Sequence, residues 1–203
     1  DPKESFKIAS ELDNFNKDRK KIEGELLNSV LNIVDKNLND PVLILSGKNW
    51  HEGIIGIIAS RLKDKFNKPT IIISLNNKIG KASARSVSGF DIGSTILAGV
   101  QDNILLKGGG HKMAGGFSIE VSKIEAFKNF IFKRFEKKMN SLSNDNNLYL
   151  DALISSSALN FEFFEKVDSL SPFGSGNPEP KFLLENLKVV KSFIVGEKHI
   201  KSI

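Results

Sequence analysis

The spacing of apolar residues over residues 5–37 predicts one long amphipathic helix. Apolar side chains recur there at steps of three and four residues, and charged side chains occupy the opposite face. Arg19 fills the one gap in this spacing, and Pro41 supplies a stop signal after it. The apolar positions are Phe6, Ala9, Leu12, Phe15, Ile22, Leu26, Val30 and Ile33.

After Pro41 the hydrophobic pattern alternates between short apolar runs, typical of buried strands, and longer amphipathic runs, typical of helices. The predicted strands lie at 42–46, 70–74, 79–86 and 115–120. The predicted helices lie at 51–66, 91–101 and 121–139. Strands that alternate with helices indicate an α/β layer architecture with a partly parallel sheet.

The last third of the chain has a different pattern. Residues 140–147, "NSLSNDNN", read as a polar linker. A short helical run then ends near Leu170, and a proline- and glycine-rich segment follows it. Residues 181–203 form short strand-like runs around Gly196, which suggests the opening of a small β-barrel. Because this pattern stops without a closing turn, we expect the chain to be a piece of a longer protein.

Charge is distributed unevenly along the chain. Residues 1–40 carry seven Lys/Arg and nine Asp/Glu, a net charge of −2, whereas the rest carry 22 against 15, a net charge of +7. A basic excess of this kind favours polyanionic partners such as nucleic acid. A solvated lysine-rich surface explains the same excess, so charge alone leaves both interpretations open.

The sequence lacks the signatures of several protein classes. It contains no cysteine, which excludes a disulfide framework and a thiolate metal site. No apolar run approaches the roughly 18 to 20 residues that span a bilayer, and no signal-peptide pattern opens the chain. We therefore expect a cytoplasmic protein without a membrane partner.

The sequence also offers no obvious metal site. Metal-dependent hydrolases need a cluster of Asp, Glu or His ligands. His51, His111 and His199 are widely separated, and no Asp-x-Asp or Asp-His-His run occurs. The sequence therefore suits a protein that binds phosphate groups better than one that hydrolyses phosphate bonds without another domain.

The stretch "KGGGHKMAGGFSIE" at 107–120 is the first candidate for phosphate binding. Gly109 and Gly110 lie in a run of three glycines, where the missing Cβ atoms let the backbone approach a ligand and the N–H groups of a loop converge on an oxyanion. His111 adds a donor suited to a phosphate oxygen. A tight turn with a buried, structural histidine would give the same pattern.

The second candidate stretch is "ASARSVSGFDIG" at 82–93. Ser83 and Arg85 lie two residues apart on a predicted strand and so point to the same face. A guanidinium and a hydroxyl together suit a terminal phosphate, through bidentate charge-assisted hydrogen bonds. The alternative is a polar, solvent-facing side of an edge strand.

The third candidate stretch is "KNWHEGIIG" at 48–56, which joins a strand to a helix. Loops at the carboxyl ends of parallel strands are where α/β folds bind ligands. Trp50 could stack on a base, and Glu52 could face a site. A packed indole and a helix-capping carboxylate are the structural alternatives, and we favour them slightly.

Five segments of the chain resemble the RecJ family, the 5′→3′ single-stranded-DNA exonucleases of the DHH/DHHA1 phosphoesterase superfamily. "GGGHKMAGGFSI" looks like the DHHA1 hallmark, although "MAGG" stands where Ala-Ala-Gly is more usual. "NWHEGIIGIIASRLKDKFNKPTIIIS" and "SARSVSGFDI" resemble the entry and the substrate-facing strand of that domain. "LSPFGSGNPEPKF" is similar to the approach to the RecJ oligonucleotide-binding (OB) barrel, and "ASELDNFNKDRKKIE" resembles the end of the interdomain helix.

The resemblance implies an architecture and a division of labour. Residues 1–40 would be the connector helix, 41–140 a DHHA1 domain with a mixed sheet flanked by helices, and 141–203 a linker with the start of an OB domain. Metal-dependent chemistry would lie in a DHH domain that these residues do not include, where Asp and His ligands hold Mn²⁺ or Mg²⁺. No cofactor is expected on this chain itself.

The resemblance also implies roles for individual residues. Ser83 and Arg85 match positions that bind the 5′-terminal phosphate of single-stranded DNA. Gly109, Gly110 and His111 match the motif beside the scissile phosphate, where His111 would act as a catalytic residue by steadying developing charge. Family analogy further implies partners such as single-strand-binding protein or a helicase.

Two other functions compete with this one. The first is a DHH/DHHA1 phosphoesterase that acts on short oligonucleotides or nucleoside bisphosphates. The second is a non-catalytic nucleic-acid-binding module like the DHHA1-like tail of alanyl-tRNA synthetases. The barrel entry at the end of the chain argues against both, and the serine-arginine strand also argues against the second.

Overall fold

The computed structural model describes residues 1–139, 148–174, 176–196 and 199–203. The chain divides into two compact units, Asp1–Asn144 and Asp145–Ile203. The first unit begins with a long helix, α1 (Pro2–Val34), whose amino end is capped by the side chain of Asp1. The other helices of this unit are α2 (Ile55–Phe66), α3 (Ile92–Gln101) and α4 (Ile124–Met139).

A five-stranded mixed sheet lies at the centre of the first unit. Its order is β1-β2-β3-β5-β4, in which only the β1–β2 pair is parallel. The predicted α/β architecture with a mixed sheet is therefore confirmed. The strands are β1 (Leu43–Lys48), β2 (Thr70–Asn76), β3 (Ile79–Arg85), β4 (Lys107–His111) and β5 (Ala114–Glu120).

Two apolar clusters cover the two faces of this sheet. On one face, α3 and α4 pack on the sheet through fully buried residues such as Ile96, Phe127 and Ile131. On the other face, α2 covers β2 and the near end of β3, and the carboxyl end of α1 packs beside it on β1 through Leu26 and Val30. This second cover stops short of β5 and β4, which leaves part of that face open.

The predicted long helix forms, but only its carboxyl end contributes buried residues. Phe6, Leu12 and Phe15 are exposed, although the sequence pattern placed them on one apolar face with Leu26. Glu23 marks the change: its carboxylate is 3% exposed and forms ion pairs with Arg19 of the same helix and with Arg61 of α2. The ion pair with Arg61 joins α1 to α2 at the point where burial begins.

The second unit is small in its described part. It contains helix α5 (Phe161–Asp168), a parallel pair β6 (Ala152–Leu153) and β7 (Phe182–Leu183), and an antiparallel pair β8 (Ser192–Val195) and β9 (His199–Ser202). The side chain of Asn160 caps α5, and Phe163 packs edge-on against Phe182 at 5.0 Å between ring centroids. These strands form no closed barrel in the residues that the structure describes.

One predicted element is wrong. Residues 107–111 were expected to form a glycine-rich loop with converging N–H groups, but they form β4, the edge strand of the sheet. A two-residue turn, Lys112–Met113, joins β4 to β5. Successive N–H groups of a strand point in alternating directions in the plane of the sheet, so they do not form the anion-binding concavity that a loop would offer.

Candidate nucleic-acid interface

The open part of the sheet is a groove whose floor is made by β3, β5 and β4. Residues opposite each other in an antiparallel ladder point to the same side, and every second residue along a strand does so too. Three rows of three residues therefore form the groove floor: Lys81, Ser118 and Lys107; Ser83, Gly116 and Gly109; and Arg85, Ala114 and His111.

Small residues occupy the middle of the groove floor and cations stand at its corners. Glycine, serine and alanine leave room above the central strand, and the space over the rows of Lys81 and Ser83 measures about 630 Å³. On the groove floor as a whole, Lys81 and Arg85 lie on the β3 side, and Lys107 and His111 lie on the β4 side. A small-residue floor between positive side chains suits an anionic chain that lies close to the backbone.

Ser83 and Arg85 form a linked pair on β3. The guanidinium donates from Nη1 to Ser83 Oγ at 3.3 Å and to the carbonyl oxygen of Ala84 at 2.9 Å. Across the described ranges, Arg85 has no carboxylate partner, so its positive charge is not neutralised by an ion pair. Because β3 lies between β2 and β5, the reading of this stretch as an edge strand is wrong.

The first turn of α2 approaches the Ser83–Arg85 pair. A Cβ at Gly56 would lie 3.0 Å from Ser83 Oγ and 3.3 Å from Arg85 Nη2, so the absence of a side chain there makes room for both groups. The amino end of a helix carries partial positive charge. The positive potential of the helix end and that of the guanidinium therefore add at the Ser83–Arg85 pair, which favours the binding of an anion there.

His111 lies at the far corner of the groove floor, in the same row as Arg85 and two strands away, about 9 to 10 Å between backbones. It is exposed, which rules out the buried, structural histidine that the sequence also allowed. The hairpin tip beside it is anchored, because Ser86 N–H donates to the Met113 carbonyl at 2.9 Å and Ile92 N–H to the Lys112 carbonyl at 3.1 Å.

The five glycines of the 107–120 stretch divide between two faces. Gly109 and Gly116 belong to the groove floor, and a Cβ at Gly109 would meet no atom within 4 Å. The other three, Gly108, Gly110 and Gly115, alternate with them on the side of α3. A Cβ would lie 2.7 Å from Ile96 at Gly108 and 2.5 Å from Ile96 at Gly115, so these two glycines allow α3 to pack directly on the hairpin.

The strand-to-helix segment before α2 contributes mainly to packing. The Trp50 indole lies over Gly47, and the backbone carbonyl of Trp50 accepts a hydrogen bond from Ser74 Oγ at 2.6 Å. His51 Nδ1 accepts the Gly53 N–H at 3.2 Å, within the turn that precedes the helix. Only Glu52 reaches the groove, where it pairs with Lys81 at 2.7 Å.

Sequence reasoning missed Lys81, Lys107, Gly116 and Ser118 as parts of this interface. Lys81 could have been found, since it precedes Ser83 by two residues on the same strand and so shares its face. Lys107 and Ser118 could not, because their place depends on the register of the β4–β5 hairpin, which a predicted loop does not supply.

Comparison with known proteins identifies both parts of the chain. Residues 39–137 match the model of the DHHA1 domain, and residues 150–203 match that of the RecJ OB domain. The chain therefore contains a DHHA1 domain followed by a RecJ OB domain. RecJ relatives match along almost the whole chain, and the two family models match in the order that the sequence predicted.

The RecJ relatives include proteins from distant bacteria. The single-stranded-DNA-specific exonuclease RecJ of Bacillus subtilis is 29% identical over 98% of this chain, and that of Escherichia coli is 28% identical over 96%. The matched regions are 26% and 35% of those proteins. This chain therefore spans about a quarter to a third of the length of its curated relatives.

Solved RecJ structures share the fold. RecJ from Thermus thermophilus in complex with Mn²⁺ matches 96% of this chain and 28% of its own, with a TM-score of 0.78 and 26% identity. The complex of RecJ from the same organism with Mg²⁺ matches with a TM-score of 0.75 and 27% identity. In the described part of this chain, no group of three or more His, Asp or Glu side chains is placed to hold such an ion.

No helix in the described ranges is both long and apolar enough to cross a bilayer.

Proposed function

We propose that this chain is the substrate-binding part of a 5′→3′ single-stranded-DNA exonuclease of DNA repair and recombination. The observation that carries the proposal is the Ser83–Arg85 pair on an open, cation-rimmed face of a RecJ-family DHHA1 sheet. Metal-dependent hydrolysis would take place in a DHH domain outside these residues. Because no three His, Asp or Glu side chains come together in the described ranges, the proposal assigns Mn²⁺ or Mg²⁺ to that domain.

Each residue of the site has a role in this proposal. The Arg85 guanidinium and the Ser83 hydroxyl bind the 5′-terminal phosphate, with the amino end of α2 adding positive potential. His111 donates to the neighbouring scissile phosphate from across the groove floor and stabilises charge that develops there. Gly109 lets the nucleotide backbone lie close to β4, and Gly110, where an added Cβ would meet the backbone of β5, would contribute only through its own backbone.

The second unit extends the binding surface in this proposal. Its match to the RecJ OB domain supports contacts to downstream DNA through basic side chains and base stacking. This match also favours an exonuclease on long strands over a phosphoesterase for short oligonucleotides or nucleoside bisphosphates. A cytoplasmic location belongs to the same proposal, as do single-strand-binding protein or a helicase as partners.

Arg85→Ala is expected to weaken binding of 5′-phosphorylated single-stranded DNA about tenfold, because a charge-assisted bidentate contact is lost. Binding of the same oligonucleotide with a 5′-hydroxyl should change less than about threefold, since Arg85 then has no terminal phosphate to hold. Fluorescence anisotropy with a 3′-labelled oligo(dT) measures both affinities.

Arg134→Ala is the matched control for that experiment. Arg134 is an exposed arginine on α4, which packs against the opposite face of the sheet. Its removal should affect both oligonucleotides equally and weakly. If Arg85→Ala weakened the phosphorylated and hydroxyl oligonucleotides by the same factor, Arg85 would not bind the terminal phosphate.

Affinity for single-stranded DNA is expected to fall steeply with salt. If the groove floor neutralises about three phosphates, the slope of log K against log salt should be about −2, and affinity should fall roughly 15-fold between 50 and 200 mM. Titrations of one 5′-phosphorylated oligonucleotide at four salt concentrations give this slope. A flat response would mean that contacts other than phosphate dominate binding.

A further inference from the structure

Arg85 and His111 are joined through the residue that follows Arg85. The chain leaves β3 at Ser86, which is only 1% exposed. The Ser86 N–H donates to the Met113 carbonyl at 2.9 Å, and Met113 belongs to the two-residue turn that directly follows His111. One buried residue therefore ties the end of β3 to the tip of the β4–β5 hairpin, beside the two side chains that are assigned to phosphate.

The hydroxyl group of Ser86 makes a second tie, to the loop that precedes α3. Ser86 Oγ donates to the Phe90 carbonyl at 2.6 Å, and both residues are buried. The Phe90 ring is itself held in the core, edge-on to Phe135 of α4 at 5.1 Å between ring centroids. Because a buried carbonyl that loses its donor is costly, this hydrogen bond fixes the loop at residues 86–91 against the core.

The same loop leads into α3, which contacts the backbone of His111. Residues 86–91 end where α3 begins, and Gly93 lies in the first turn of that helix. A Cβ at Gly93 would lie 2.8 Å from the carbonyl oxygen of His111, so the helix and the strand meet there without room for a side chain. Ser86 therefore restrains His111 by two routes, one through the hairpin tip and one through α3.

We propose that Ser86 is a positioning residue, which holds Arg85 and His111 in the arrangement that receives two successive phosphates of one strand. The proposal rests on the proposed function, in which Arg85 binds the terminal phosphate and His111 the scissile phosphate next to it. Two contacts held at a fixed separation bind a bridging ligand more tightly than two contacts that move independently, because the second contact forms at a high effective concentration. Buried as it is, Ser86 touches neither phosphate and acts only through the other two residues.

The test measures the coupling between the two phosphates. It uses four dT dinucleotides, which carry or lack a 5′-phosphate and contain either a phosphodiester or a neutral methylphosphonate as the internal link. NMR titrations give the four affinities. In the unaltered chain, the methylphosphonate should weaken the 5′-phosphorylated dinucleotide about threefold to tenfold more than the 5′-hydroxyl dinucleotide. In Ser86→Ala this extra factor should fall below about twofold, because the two contacts are no longer held together.

The coupling distinguishes a positioning role from a purely structural one. A variant that is only less stable has a smaller folded fraction, which lowers all four affinities by the same factor and cancels from the coupling. Ser88→Ala is the matched control, since Ser88 is an exposed serine of the same loop. Its coupling should equal that of the unaltered chain. If Ser86→Ala also kept the full coupling, Ser86 would not hold the two contacts together and the proposal would be overturned.

A second variant relaxes the same tie without changing Ser86. Insertion of one glycine between Lys112 and Met113 lengthens the hairpin turn and moves the Met113 carbonyl away from the Ser86 N–H. This variant should also lose coupling, so it decides the question if Ser86→Ala does not fold; full coupling in it would overturn the proposal. A gain in affinity from the 5′-phosphate without coupling in the unaltered chain would overturn the role of Ser86 alone, whereas no gain from the 5′-phosphate would overturn the proposed function as well.

Discussion

Gly110→Ala is expected to lower the free energy of unfolding of the first unit by about 3 kcal/mol, with a fall in Tm of about 6 to 12 °C. A Cβ at Gly110 would lie 2.5 Å from the Cα of Gly115 and closer still to the carbonyl oxygen of Ala114. Both contacts are with backbone atoms of the neighbouring strand. The clash cannot be relieved by rotation of a side chain, so the β4–β5 hairpin must shift.

Gly109→Ala provides the matched control one residue earlier. A Cβ there meets no atom within 4 Å, and β4 has an extended backbone that alanine adopts without strain. Its stability should stay within about 0.5 kcal/mol of the unaltered chain, since alanine also loses less conformational freedom than glycine. Thermal unfolding followed by circular dichroism compares the two variants.

The same pair of variants separates packing from binding. The methyl group of Gly109→Ala projects into the groove floor, so this stable variant should bind 5′-phosphorylated DNA less tightly. In Gly110→Ala we expect the main effect to be a loss of stability, with no effect on binding beyond that loss. Equal stability of the two variants would contradict the close approach of Gly110 to the backbone of β5.

The fold was predicted correctly for elements in which the pattern of apolar side chains follows from their burial. The apolar runs around 42–46 and 70–74 became the adjacent parallel strands β1 and β2, because both are buried under α1 and α2 on one side and under α3 and α4 on the other. The amphipathic run at 121–139 became α4 after a short 3₁₀ turn. In each case local sequence and final environment agree.

The prediction failed at β4 for a reason that lies in glycine itself. Lys107–His111 contains three consecutive glycines, which carry no alternation of apolar and polar side chains and have low β-propensity. The strand exists because β5 supplies its hydrogen bonds and α3 packs on its bare backbone. Those partners lie elsewhere in the sequence, so no local pattern indicates them.

In the candidate site, too, the features that depend on one strand could be predicted, and those that depend on strand pairing could not. Ser83 and Arg85 share a strand, so their common direction followed from a spacing of two residues. That His111 stands opposite Arg85 depends on the order β3-β5-β4 and on the register of two ladders. The groove floor, including Lys107, is therefore a property of the sheet rather than of any one motif.

The 203-residue chain, incubated with Mn²⁺ or Mg²⁺ and 5′-phosphorylated single-stranded DNA, is expected to release no nucleotides above a control that contains a chelator. Hydrolysis of a phosphodiester without a catalyst is extremely slow, and metal-dependent nucleases accelerate it with ions held by several carboxylate or histidine ligands. Throughout the described ranges, no three such residues come together.

This experiment has an internal control in Arg85→Ala, purified in the same way. A contaminating nuclease would degrade DNA equally in both preparations, whereas activity of the chain itself would depend on Arg85. Release of 5′-mononucleotides that requires metal and is lost in Arg85→Ala would place the catalytic ions within these residues. The groove floor would then be an active site in its own right, and the division of labour between substrate binding here and hydrolysis in a DHH domain would be wrong.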